Sequence, residues 1–419
     1  MEGIRVNKVS LNGNRIEVDY SVSEGLQHFF DTSQNVFWAE YSQNVSTVPE
    51  SIAVIPFVCN VIPIIWLTDT LLDLPSIDKS FFENLDKIKS GYEKMYPMFN
   101  FKGKIHAINI IDNSYCTNGG NAVFFSGGVD AFTTLIRHRE EYPLLITVRG
   151  ADIRLDDIEG WEKVSKHVHS TSKQFNLSVP SYVASNFRTF INEESLSVIV
   201  EKSKDGWWHG FQHGIGILSH AAPLAWINHL DKIYIASSNT ANEKTTCASD
   251  PTIDNYLHFG SSHIIHDAYE LNRQQKIQTI VNYCKQTNQK IEPRVCWVSS
   301  GGENCCKCEK CIRTIFSLLA ENEPVSQYGF KCTDRDLQNS KKIITDSLYV
   351  SNDSVKGNWV YVIKRFQETG AYKYDKRINW VYKLNPYASP PRPSIVHIIY
   401  HKVKRSIRVF FNPNNSTRP

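Results

Sequence analysis

Two short stretches of this chain hold residues whose types and spacing could do chemistry. The first is a cysteine cluster: Cys296, eight residues, then Cys305-Cys306-Lys307-Cys308-Glu309-Lys310-Cys311. Cys305/Cys308 and Cys308/Cys311 make two overlapping C-x-x-C pairs, and Cys296 supplies a fourth thiolate. Four thiolates complete a tetrahedral zinc site and leave no open position, so the metal is expected to be structural. Cys306 is then expected to point away. Without a metal, thiols packed this closely would oxidise or repel one another. A disulfide framework would spread its half-cystines along the chain. Cys59, Cys116, Cys247, Cys284 and Cys332 are scattered and carry no such pattern.

The second stretch is Phe125-Ser126-Gly127-Gly128-Val129-Asp130-Ala131. A strand ends, two glycines open backbone conformations closed to other residues, and a helix begins at once. The free N–H groups of the turn and of the helix N-terminus form a cradle for an anion such as a phosphate. A glycine turn between strand and helix can also serve packing alone. Weaker candidates surround these two. His209 and His213 lie four apart, the spacing of two metal ligands on one helix face, but no third ligand accompanies them. Contact with a phosphate or substrate is the more economical role. Arg188 follows a strand end, where open α/β sheets hold their ligands, and could grip a phosphate or carboxylate. His266-Asp267 and Arg273–Lys276 read as a charged helix face, with Lys276 a candidate for the nucleotide.

These residues need elements to position them. Asn121–Phe125 predicts a buried strand, Asp130–Glu141 a helix and Pro143–Val148 a second strand. A helix over Ile158–Phe175, a strand near Ser181–Ala184, a helix over Ile215–His229 and a strand over Lys232–Ala236 continue the alternation. The expected fold class is α/β, a doubly wound and mostly parallel sheet closed by the cysteine cluster and a helix over Cys311–Glu321. Before it, residues 1–115 alternate like strands at Arg15–Tyr20 and Val36–Tyr41 and carry a helical pattern near Lys79–Met95, as an added α+β domain would. Residues 116–325 form the α/β unit. Residues 326–419 form an extension with a helix over Trp359–Glu368, a proline-rich linker at Pro386–Pro393 and a basic, apolar tail at Ser394–Phe411. That tail suits core packing slightly better than a membrane surface or a partner.

Bulk composition narrows the function classes. The 419 residues are 41% hydrophobic and 21% charged, as in an ordinary folded protein of two or three domains. A formal charge of +3 is close to neutral for this length and argues against a dedicated nucleic-acid binder. The opening MEGIRVNKVSLNG lacks the apolar core of a signal peptide, and the apolar run Ile52–Leu67 is short for a membrane span and broken by Pro56, Asn60 and Pro63. A cytoplasmic protein is the expectation.

The strand–SGGxD–helix arrangement resembles the loop of PP-loop ATP pyrophosphatases. Followed about 170 residues later by C-x8-C-x2-C-x2-C, it resembles the 7-cyano-7-deazaguanine synthase family (QueC). Gly214–Ser237 is similar to that family's small-residue helix and strand, and the likeness spans about Asn121 to Asn322. The resemblance implies ATP, with Mg2+, bound through Ser126, Gly127, Gly128, Asp130 and the Ala131 position, and zinc on Cys296, Cys305, Cys308 and Cys311. The catalytic candidates are Asp130 of that loop together with Arg188, for which a surface role is the alternative, and His213 from the reading above; the resemblance further implies adenylation of a small-molecule carboxylate such as 7-carboxy-7-deazaguanine. An amine would then attack to give an amide or nitrile.

The chain departs from the family pattern at several points. Ala131 replaces a serine, and Trp297 stands where tyrosine is usual. His213-Gly214 stands near the family's arginine–asparagine pair, and Ser249-Asp250-Pro251 is only a loose counterpart of its Y-P-D signature. The extensions suit a bulkier amine than ammonia, such as a protein N-terminus. QueC-like proteins with extensions occur in antiphage defence systems, where nucleobase–protein conjugation is a reaction the resemblance makes available. The competing readings are a conventional synthase using ammonia, a PP-loop amidotransferase of surface-polysaccharide synthesis, and a non-catalytic nucleotide-binding module.

Overall fold

The computed structural model describes residues 2–388 except 35, 118, 244, 297 and 300–302. Trp297, the linker from residue 389 onward and the Ser394–Phe411 tail therefore lie outside the described residues. Eleven strands build one sheet: β1 (Gly3–Asn12), β2 (Arg15–Val22), β3 (Val36–Tyr41), β4 (Leu71–Asp78), β5 (Lys104–Ile111), β6 (Gly120–Phe124), β7 (Leu144–Arg149), β8 (Ser181–Ser185), β9 (Leu230–Ala236), β10 (His258–Phe259) and β11 (Ser262–Asp267). Their spatial order is β10-β11-β9-β6-β7-β8-β3-β2-β1-β4-β5. From β11 to β8 every neighbour is parallel. The fold is α/β with a large, mostly parallel sheet.

Both faces of the parallel strands are buried, and alternate residues feed two cores. Ala122, Phe124, Leu144, Ile146 and Ile233 join one core. Val123, Phe125, Leu145 and Tyr234 join the other. The first is covered by helices Ile55–Thr68, His213–Leu218 and Ala221–Asn228. The second is covered by Val129–His138, Ile158–Gln174, Arg273–Thr287, Glu309–Ala320 and Asp353–Thr369.

Strands β1–β5, all from residues 1–115, continue the same sheet. β3 pairs antiparallel with β8, Ala39 opposite Ser185 and Tyr41 opposite Val183. The apolar Ile55–Thr68 helix is buried on nearly every side, with Pro56 in its first turn and Pro63 inside it. It packs with Phe187, Ile215 and Leu218 in one core, and its Asn60 Oδ1 accepts from Gln212 Nε2 at 2.8 Å. Among the described residues no helix is long and apolar enough to cross a membrane.

Candidate functional site

β6 leads to β7 and β8 on one side, whereas β9 and β11 lie on the other. The chain direction thus switches beside β6, and a crevice outside the carboxyl ends of such strands is where open α/β sheets hold ligands. The loop leaving β6 is Phe125–Gly128. Gly127 has φ +77°, and a Cβ there would stand 2.7 Å from His167 Cδ2 and 2.9 Å from Nε2, so glycine is required twice over. Gly128 is the N-cap of the Val129–His138 helix and makes no side-chain cap, which leaves the helix N-terminus open. Arg294 clasps the loop from outside: its N–H donates to Gly127 O at 2.7 Å and its guanidinium to Ser126 O at 3.1 Å. His167 Nε2 is buried without a hydrogen-bond partner among the described residues, and burial with the nearby Arg294 charge lowers its imidazole to about 4.

Cations face this turn. Arg273 Nη1 meets Asp130 Oδ2 at 2.6 Å, and Lys276 Nζ lies 3.4 Å from Asp130 Oδ1. Burial pushes the Asp130 carboxyl up, but Arg273, Lys276 and Lys310 outweigh it and hold it at about 2. Lys310 makes no ion pair among the described residues; burial and the charges of Arg273 and Arg313 depress its ammonium. Arg273 and Lys276 are not an exposed charged helix face. Lys276 is only 1% exposed, because its ammonium is buried against Asp130 and the Ser237 carbonyl. His266 and Asp267 belong to buried β11, where His266 Nδ1 pairs with Asp254 Oδ2 at 2.7 Å and Asp267 with Thr134, Arg137 and His138. Ala131 is 4% exposed and sits in the apolar core behind the turn.

The four cysteines come together as their spacing requires. The Sγ atoms of Cys296, Cys305, Cys308 and Cys311 all lie within 4.8 Å of one another, an arrangement that could hold a metal ion. Cys296–Cys308 are 4.0 Å apart and Cys305–Cys311 3.9 Å. Four sulfurs at about 2.3 Å around one tetrahedral zinc would stand about 3.8 Å apart. Backbone N–H groups of Ser299, Lys307 and Cys311 donate to the sulfurs of Cys296, Cys305 and Cys308. Cys306 turns away with φ +56°, its thiol near Asn304 O. Cys308 also caps the Glu309–Ala320 helix, so the same turn that carries the thiols places Lys310 close enough for its charge to lower the Asp130 carboxyl.

The other candidates gather farther along the carboxyl edge. Arg188 follows β8, but its guanidinium is engaged: it pairs with Glu193 and stacks 4.1 Å over the Trp208 ring. The helix expected over Ile215–His229 starts earlier, as a π-helical turn at Trp208–Gln212, and breaks between His213–Leu218 and Ala221–Asn228. This turn brings His209 and His213 to the thiol of Cys247 in the loop after β9. Asp205 Oδ1 holds His209 Nδ1 at 3.1 Å, and Tyr96 and Thr246 hydroxyls donate to its other oxygen. Asp250 caps a short helix at Thr252 N, the role found for the Ser249-Asp250-Pro251 stretch.

No family model, curated protein or solved structure matches the chain. Sequence reasoning passed over Arg294, Lys310, His167 and Cys247. Arg294 and Lys310 flank or interrupt the cysteine motif, and that adjacency was the available signal. Cys247 and His167 carry none, since only the fold brings them to their partners.

Proposed function

We infer that the chain is an ATP-using enzyme of the PP-loop kind that adenylates a carboxylate and passes the acyl group to an amine. The observation that carries this is the Gly127–Gly128 turn at the switch point, faced by Arg273, Lys276 and an ammonium, Lys310, with no carboxylate of its own. A buried cation crowded by other cations gains stability when a polyphosphate arrives. His167 Nε2, buried and unpartnered beside Gly127, is a second group suited to a phosphate oxygen.

A carboxylate is a poor electrophile, and ATP converts it to an acyl-adenylate whose leaving group is AMP. The turn amides and the helix N-terminus would hold the pyrophosphate, while Lys310 and Lys276 neutralise charge that builds as it departs. ATP brings Mg2+ on its own phosphate oxygens. Asp130 Oδ2 is engaged by Arg273, whereas Oδ1, 3.4 Å from Lys276 Nζ and without a hydrogen-bond partner among the described residues, is the atom that would be left to meet Mg2+. The four-thiol geometry fits zinc, which would fix the turn that carries Lys310 and Arg294 and take no part in the chemistry.

On the QueC resemblance, the acid is 7-carboxy-7-deazaguanine or a close analogue, and the amine is a protein N-terminus, as in an antiphage conjugation system. ATP–pyrophosphate exchange that depends on this acid tests the reading directly. Exchange above background supports it, and ATP binding without exchange for any carboxylate leaves a nucleotide-binding module.

A further inference from the structure

We propose that Cys247 is an acyl-accepting nucleophile, taking the acyl group from the adenylate as a thioester before an amine receives it. The inference rests on the adenylation reading above and adds a covalent step to it. Cys247 is 6% exposed and lies in the loop after β9, at the same carboxyl edge as the SGGVD turn. Ala248 N–H donates to His209 O at 2.9 Å, which lays the Cys247 loop against the segment carrying His209 and His213; both imidazoles act on its thiol, and Asp205 orients His209 from behind. Nucleophile, base and orienter are the parts of an activated thiol. His209 sits on the π-helical turn Trp208–Gln212 and His213 directly follows it, a distortion found mainly where a site needs side chains aimed off the regular helix. A Cβ on Gly214 would come within 2.2 Å of Ala248 O, so the Cys247 loop can approach this turn only because residue 214 is glycine.

Among the described residues, the groups that could hold a metal ion comprise the four-cysteine cluster and not this one. His213 Nδ1 is buried and has no hydrogen-bond partner among the described residues.

The electrostatics suit the role. Burial pushes the Cys247 thiol up, but His209 and His213 outweigh it and bring it to about 6, so thiolate predominates at neutral pH. Its sulfur attacks the acyl carbon of the adenylate; the C–S bond forms, the C–O bond to AMP breaks, and no proton moves. The negative charge at Cys247 is then gone. His213, lowered by burial and raised mainly by that thiolate, then gives its proton to solvent and becomes a neutral base. The amine attacks the thioester, its proton passes to His213, the C–S bond breaks and the thiolate returns beside the His209 imidazolium.

The experiment uses the full chain with ATP, Mg2+ and carboxylate-labelled 7-carboxy-7-deazaguanine, with no amine added, quenched in acid. The expected result is protein-bound label, released by hydroxylamine and mapped by mass spectrometry to the peptide carrying Cys247. In Cys247→Ala the label is expected to stop at the small-molecule adenylate. Cys247→Ser, nearly isosteric, is expected to do the same or to trap a hydroxylamine-resistant ester at residue 247. Wild-type protein that accumulates adenylate but no protein-bound label, or a Cys247→Ser chain that delivers the acyl group to amine at the wild-type rate, overturns the thioester and leaves adenylation standing. Absence of adenylate from wild-type protein overturns both.

Discussion

Gly127 and Gly128 are neighbours with separable roles. Gly127 lies at φ +77° against His167, so Gly127→Ala is expected to destabilise the fold, by about 1–3 kcal/mol in thermal or urea unfolding. At Gly128 the nearest atoms to an added Cβ stand at 3.5 and 3.7 Å. Gly128→Ala should therefore fold with an unchanged midpoint while its methyl covers the amide cradle, and ATP affinity measured by calorimetry should fall. Lys310→Ala is expected to act in the same direction for another reason. It removes a charge-assisted contact to phosphate, weakening ATP about 10–100-fold, yet relieves repulsion with Arg273 and Arg313, so the midpoint should hold or rise.

Asp130→Asn should do the opposite and lower stability, because Arg273 and Lys276 lose their buried counter-charge. The wild-type carboxyl is depressed from 3.8 to about 2, so its contribution is complete above pH 3.8 and is lost as pH falls through about 2. Acid unfolding of Asp130→Asn should lack that part of the pH dependence; an identical acid limb in both proteins would argue against the pairing.

The segment from Arg294 to the Glu309–Ala320 helix is a staple with two jobs. Its thiols come together, and its flanks deliver Arg294 to the loop carbonyls and Lys310 to Asp130. Removing metal with a strong chelator, or Cys308→Ser, is therefore expected to lower the melting temperature and also weaken ATP binding in whatever protein stays folded. Metal analysis and thermal shift with and without ATP check this; normal melting of metal-free protein would contradict it.

The four-thiol cluster was legible because its cysteines follow one another at short, local spacing. The strands and helices around the turn were legible because buried parallel strands and amphipathic helices carry clear periods. Other elements were not, two long helices among them. Ile55–Thr68 is apolar all round, so no period marks it, and its two prolines read as breaks. Asp334–Val350 buries only Ser340, Ile344 and Leu348, a stripe too thin to stand out. His213 stood out in the sequence as a candidate, but its neighbour Cys247 did not, since only the fold lays that loop against the π-helical turn.

At the scale of the molecule, residues 1–115 cannot be lifted away cleanly. Their removal would strip β3 from β8, uncover Phe187, Ile215 and Leu218, and leave Gln212 without Asn60. A truncation starting at residue 116 is expected to aggregate or to bind a hydrophobic dye, and a soluble, cooperatively melting product in size-exclusion and calorimetry would refute that. Sequence periodicity located strands in this region but could not show where they pair, because pairing of β3 with β8 joins residues far apart in the chain. That pairing also sets a timetable for synthesis. At about 5–20 residues per second, β8 leaves the ribosome on the order of ten to thirty seconds after β3. Through that interval β3 has an unfilled edge and its apolar neighbours have no cover, so the nascent chain is the form of this protein most exposed to misassociation and most in need of a chaperone.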